Sequence, residues 1–153
     1  MFLKPGNIWK ETMNGLKYFI DTNIFLRATL RDIPAQGEEC ERFLKKLAAQ
    51  NEEFFSSSLV LAEIAWTLSR FYKYQKTDVA NILTSVLTIA GLKFEDECSP
   101  RAATELYARH NVKFADYLIA SHPWLISGEM QIISYDRDFD VLGVKRVEPG
   151  DLI

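Results

Sequence analysis

Apolar positions in this chain come in short unbroken runs separated by segments of helical period. The first run, Tyr18-Phe19-Ile20, is β-prone and unalternated, as in a strand buried on both faces, and it stops at Asp21. The pattern then turns amphipathic over residues 23–30, a short helix broken before Pro34. A second helix is predicted over about 37–49, with Cys40, Phe43, Leu44 and Leu47 at helical spacing. Residues 54–57 read as a second strand, with Ser58 as the cap of a helix over 59–74 that is apolar nearly all round in its first half. A further helix, 77–90, is capped by Thr77 and closed by Gly91. Residues 92–95 make a third strand, 100–110 a helix with Pro100 near its first turn, and Asp116 opens another apolar helix. Met130 to Ser134 is a fourth strand and Val144 to Val147 a short last one, before Pro149 and Gly150. Strands alternating with helices predict an α/β domain.

Two of the apolar runs end in acid. A carboxylate directly after a strand, followed by Thr22 and Asn23, lies at the sheet edge where α/β proteins open their ligand crevices. The fourth strand repeats this, running into Tyr135-Asp136-Arg137-Asp138-Phe139-Asp140. Glu63 interrupts the most apolar helix, on one strip with Thr67 and Arg70 and flanked by Leu59 and Trp66. Taken singly, a helix cap at Asp21, a solvated strip at Glu63 and dipole compensation at Asp116 are sufficient accounts. Their joint occurrence in one small domain calls for a cation. Several acids without imidazole or thiolate favour Mg²⁺ or Mn²⁺ over Zn²⁺. His110 and His122 have no partner at ligand spacing and read as structural. A Gly-rich phosphate loop and a Gly-x-Ser-x-Gly turn are both missing, so nucleotide cofactors and a serine nucleophile lose support.

Composition narrows the setting. At 153 residues, 48% apolar and 25% charged, the chain is one globular domain, residues 16–153, behind an extension of residues 1–15 in which Met13 is an alternative start. No apolar stretch reaches the roughly 18 residues that span a bilayer. Residues 1–12 lack a secretory pattern, so a cytoplasmic location without a membrane is expected, with Cys40 and Cys98 reduced. A net charge of −3 argues against a nucleic-acid partner only until the acids are located. With Asp21, Glu63, Asp116 and Asp136 gathered in one cation site, the remainder carries +1.

Four segments carry a resemblance. Phe19-Ile20-Asp21-Thr22-Asn23-Ile24-Phe25-Leu26, Val60-Leu61-Ala62-Glu63, Asp116-Tyr117-Leu118-Ile119-Ala120 and Ile133-Ser134-Tyr135-Asp136-Arg137-Asp138-Phe139 resemble the PIN-domain family, above all the VapC-type toxins of bacterial and archaeal toxin–antitoxin pairs. They follow the family's order over about residues 16–147. The resemblance implies a three-layer α/β/α fold with a mainly parallel central sheet of four to five strands, and a Mg²⁺- or Mn²⁺-dependent endoribonuclease. It makes Asp21, Glu63, Asp116 and Asp136 the catalytic, metal-binding acids, supported by Thr22, Asn23, Ser134 and Asp138, with Asp136 or Asp138 as the direct ligand. Ser134 stands where the family commonly has Thr, which keeps a hydroxyl.

Near these acids, Arg27, Lys113 and Arg137 are candidates for phosphate contacts and Tyr135 for stacking on a base. Expected partners are RNA, a small antitoxin protein whose apolar helix lies beside Leu59 and Trp66, and a second copy of the chain. The homodimer follows from the family and from the large apolar groups at Trp66, Phe71, Tyr72 and residues 122–126. Alternatives are a PIN-like binding protein without turnover and a housekeeping RNA-processing nuclease with no antitoxin. A haloacid-dehalogenase-like phosphatase is disfavoured because Asn23 stands where its second Asp would be, and a receiver domain because its acid pair is missing.

Overall fold

The structure, a computed structural model, describes residues 15–153; the extension expected at residues 1–15 and the alternative start at Met13 lie outside them save for Gly15. Five parallel strands form one sheet in the order β3-β2-β1-β4-β5: β1 Lys17–Ile20, β2 Phe54–Ser56, β3 Leu92–Phe94, β4 Met130–Ile133 and β5 Arg146–Val147. Tyr18, Phe19 and Ile20 are buried, as are all residues of β2 and β4, so the central strands are covered on both faces.

Every crossover is helical. α1 Thr22–Leu30 and α2 Pro34–Gln50 join β1 to β2; α3 Ser58–Trp66 and α4 Lys76–Leu87 join β2 to β3. α5 Pro100–Tyr107, α6 Phe114–Ala120 and α7 Pro123–Ser127 lead to β4, and α8 Asp138–Val141 to β5. The helices pack in two groups, α1 with α2 and α3 and then α4, and α5 with α6 and α8, giving a layer on each face of the sheet. The chain winds outward from β1 through β2 to β3, then returns to β4 on the other side of β1. That reversal opens a crevice between the carboxyl ends of β1 and β4, which pair from Lys17 with Met130 to Ile20 with Ile133.

Element ends depart from expectation at several places. Pro34 opens α2 rather than only ending α1, because its missing N–H and fixed φ suit a first helical turn. Ser57, not Ser58, caps α3, its Oγ accepting from Val60 N, while Ser58 is tied to Asp96. The helix expected over 59–74 leaves α geometry at Thr67 and makes a π turn, Thr67–Phe71, closed by the Tyr72 N–H on Thr67 O at 3.2 Å. Thr77 caps nothing: α4 starts at Lys76 after Gln75. α5 stops at Tyr107, short of residue 110. The helix expected to run to residue 90 stops at Leu87 with Thr88 as its cap, so Gly91 does not close it but turns the chain into β3, where only glycine fits, with φ +85° and a Cβ that would sit 2.2 Å from Glu52 O.

Half of the expected contact surface faces inward. Trp124 packs edge-on against Phe55, with the Lys17 ammonium 4.6 Å from its ring centre, and Leu125 is in the core. His122 is buried and its Nδ1 accepts from Trp124 N, a structural role. Tyr72 gives its hydroxyl to Asp32, whereas Trp66, Phe71 and Ile126 remain exposed. Cys40 is buried, Cys98 exposed, and both are free thiols. Among the described residues no helix is long and apolar enough to cross a membrane.

Candidate metal centre at the β1/β4 edge

Asp21 is the first residue beyond β1 and Ser134 the first beyond β4, so parallel pairing of those strands sets the two side by side. Asp21 occupies the cap position of α1 but makes no cap hydrogen bond with its side chain. Its Oδ2 instead accepts from Ser134 Oγ at 2.7 Å and from Asn23 Nδ2 at 2.7 Å. Asn23 Nδ2 also reaches Ser134 Oγ at 2.8 Å, and its Oδ1 accepts from Tyr135 N at 3.2 Å. Ser134 Oγ accepts once more, from Asp136 N at 2.9 Å. One hydroxyl therefore ties the end of β1 to the end of β4 and fixes where Asp136 begins. A threonine in place of Ser134 would offer the same oxygen.

The other acids come from the two helical layers. Glu63, on α3, accepts from Thr22 Oγ1 at 2.7 Å. Asp116 lies in the first turn of α6, buried, and its Oδ2 has no hydrogen-bond partner among the described residues. Asp21, Thr22, Asn23, Leu26, Glu63, Thr67, Lys113, Asp116 and Asp136 line one cleft of about 230 Å³. Asp116, Asp136 and Asp138 each offer a carboxylate oxygen within 4.8 Å of the others, while Asp138 stands outside the cleft lining. Asp136 Oδ1 accepts from Asp138 N at 2.9 Å, so the start of α8 fixes both acids.

Burial and mutual repulsion make these acids reluctant to ionise together. Asp21, 4% exposed, is pushed up to about 7, chiefly by desolvation, with Glu63 and Asp136 adding and the Ser134 bond opposing. Asp116, 3% exposed, is also pushed up to about 7, by desolvation and then by Asp21. At Lys113 burial works against the charge, but Asp116, Asp136, Glu63 and Asp21 outweigh it and hold the ammonium above its ordinary range. An unpartnered buried oxygen on Asp116 and three converging carboxylates are what a hard divalent cation uses: oxygen donors with formal charge and no competing side-chain cation bonded to them.

The structure brings Asp21, Thr22, Asn23, Glu63, Lys113, Asp116 and Asp136 together and leaves other candidates aside. Arg27 is paired with Asp32 at 2.6 Å and does not line the cleft. Arg137 is exposed at the start of α8, outside the lining residues. Tyr135 turns its hydroxyl away to Glu39 and Cys40, so the ring expected to stack on a base is held in the α2 layer. Asp140, which crowds Asp136 in sequence, is taken by Arg146 through Nε at 3.1 Å and Nη2 at 3.2 Å. The groove expected beside Leu59 and Trp66 does not exist as one feature. Leu59 lines a cavity with Phe19 and His122, whereas Trp66 lines one with Glu63.

Sequence reading missed Arg146, whose Nη1 also holds Ser134 O at 2.9 Å, and Thr67, which lines the cleft one turn beyond Glu63. Thr67 was legible on the strip of Glu63; nothing in sequence announces the Arg146 contact.

The family model of the PIN domain matches residues 18–145. The VapC ribonuclease of Aquifex aeolicus (strain VF5) is 27% identical over 112 residues, covering 73% of this chain and 82% of that relative. Among solved structures, VapBC2 of Rickettsia felis, bound to a DNA fragment from their promoter, superposes with a TM-score of 0.62 at 23% identity, over 87% of this chain and 98% of that one. At that identity the likeness speaks for the fold.

Proposed function

This chain belongs to the PIN domain family, and on that premise we propose that it is a metal-dependent endoribonuclease, the toxin of a type II toxin–antitoxin pair acting in the cytoplasm. The observation that carries the reading is the cleft in which Asp21, Glu63, Asp116 and Asp136 converge with no arginine or lysine among the described residues bonded to any of them. The similarity to a VapC ribonuclease supports RNA as the substrate.

Asp116 and Asp136, with Asp21, Glu63 and Asp138 around them, would hold Mg²⁺ or Mn²⁺. When bound, such an ion lowers the pKa of a water and offsets charge on the scissile phosphate. The chain's own residues supply the rest. Ser134 and Asn23 lock Asp21 Oδ2, so its remaining oxygen faces the cleft in one orientation. Thr22 does the same for Glu63. Lys113, at the cleft mouth, attracts a phosphate to an otherwise anionic pocket. Hydrolysis adds the water oxygen to phosphorus and releases the ribose oxygen, with the water's proton passing to a cleft carboxylate.

An antitoxin would insert an arginine or lysine among these acids, making charge-assisted bonds in place of the metal. An apolar groove of about 310 Å³ between α1, α2 and α4, lined by Phe25, Ala28, Leu44, Ile82, Val86 and Ile89, suits its apolar helix. A homodimer would cover part of the exposed apolar surface at Phe71 and is read by light scattering at tens of micromolar.

Purified protein should cleave RNA with Mg²⁺ or Mn²⁺ and stop on chelation, and Asp21→Asn should abolish cleavage while the fold persists. Undiminished cleavage by Asp21→Asn would sink the mechanism. Expression of the chain alone should arrest growth, Asp116→Ala should relieve the arrest, and so should co-expression of the partner encoded beside it. Tolerance of the wild type at high level without a partner would instead favour the housekeeping nuclease.

A further inference from the structure

The acid cleft does not end at Glu63. Through Glu63, Thr67 and Lys113, which line both, it continues into a more open groove of about 500 Å³ completed by Ala62 and Trp66. Trp66 is 65% exposed, an uncommon state for so large an apolar ring, and it lies three residues after Glu63, nearly one helical turn away on the same side of α3. Directly after it the helix enters the π turn that begins at Thr67. Such turns are uncommon and cluster at functional sites, where they re-aim the side chains beside them.

We propose that this groove is a base-stacking subsite for an unpaired RNA nucleotide next to the scissile phosphate, with Trp66 as the stacking platform and Lys113 holding the phosphate between. The proposal rests on the nuclease reading and adds to it the side chain on which a base beside the cleavage point stacks.

Three features select this occupant. The groove is contiguous with the cleft where the phosphate must lie, so the chain of an RNA substrate has to leave along one of the cleft's openings, and this one has an aromatic wall. Its polar lining, the Glu63 carboxylate, the Thr67 hydroxyl and the Lys113 ammonium, would be desolvated at a cost under an apolar protein face. A nucleotide brings a phosphate for the ammonium and a π-face for the indole, and leaves the remaining polar groups wet. Stacking is also indifferent to base identity, as every base has such a face. A paired nucleotide has both faces occupied, so duplex RNA cannot use the platform.

The test uses the non-cleaving Asp21→Asn protein and a short unstructured RNA, with binding read by fluorescence anisotropy in Mg²⁺. Adding Trp66→Ala should raise Kd roughly ten- to a hundredfold, and Trp66→Phe should restore most of the loss. A series of RNAs, each with one abasic nucleotide beside the cleavage position, should contain one that reproduces the loss on Trp66 protein and costs nothing further on Trp66→Ala. The fully paired duplex should bind with no dependence on residue 66. Unchanged Kd in Trp66→Ala, or abasic costs that simply add, would overturn the subsite while leaving the nuclease intact. Loss of a dimer in Trp66→Ala with RNA affinity unchanged would assign the face to a second copy and overturn it too. If the Asp21→Asn protein binds no RNA at all, the nuclease reading falls first, and the subsite with it.

Discussion

Two acid clusters hang on the same residue, Ser134, and differ in what answers their charge. On one side Ser134 O, Asp140 and Glu148 all accept from Arg146, at 2.9 to 3.2 Å. On the other, Ser134 Oγ holds Asp21 beside Glu63, Asp116 and Asp136, and among the described residues no cation is bonded to these acids. The first cluster is closed: Asp140 and Glu148 have their counter-charge in Arg146. In the second, Asp21 and Asp116 pass the cost into pKa values near 7. Arg146 reaches both carboxylates of the first cluster, whereas the second is left open, the arrangement that the proposed cation would fill.

The contrast is broken most strongly at Asp116. Asp116→Ala removes a buried carboxylate oxygen that has no partner among the described residues, and kcat/KM on RNA should fall by about a thousandfold, the scale of a lost metal ligand. Circular dichroism should stay native, since no hydrogen bond of the fold ends on Oδ2.

Opening the closed cluster is the next test. Arg146→Met frees Ser134 O, Asp140 and Glu148 at once, and should cost about 1–3 kcal/mol of stability in urea unfolding. Because Ser134 also orients Asp21 and Asp136, activity should drop roughly tenfold, as for other losses behind a ligand. That loss of stability with activity untouched would separate the two clusters and refute their coupling through Ser134.

The smallest effect is on pH dependence. In the metal-free protein Asp21 and Asp116 hold protons up to about 7, whereas the unfolded chain releases them near 3.8. The folded state therefore binds more protons between those values, so stability falls as pH rises from about 4 to about 7 and levels beyond. The melting temperature should drop by several degrees across that window, less so in Asp21→Asn, and Mg²⁺ should reverse the drop at pH 8. A melting temperature that rises from pH 5 to pH 8 without metal would contradict the buried, repelling pair.

What the sequence determined by itself was local and additive. Unalternated runs at residues 18–20 and 130–133 became central strands because a segment apolar at every position has no face to offer water. Asp21, Glu63 and Asp116 stood out because each breaks an apolar context, and that contrast survives in one dimension. Helix ends such as Ser57 against Ser58, or Lys76 against Thr77, slipped by a residue because neighbouring caps differ by less than the packing that chooses between them.

Only the tertiary structure decided which acids meet. Asp136, Asp138 and Asp140 are equivalent as text; Arg146, six residues on, claims the last, and the first turn of α8 turns the other two toward Asp116. Tyr135 looked like a base platform beside the acids until α2 brought Glu39 and Cys40 to its hydroxyl, and Trp66, a contact residue on paper, was left open at the end of the cleft. The reason is the same in each case. Which partner a side chain meets, whether six residues away or across a crossover, is set by strand register and helix packing that no local pattern encodes.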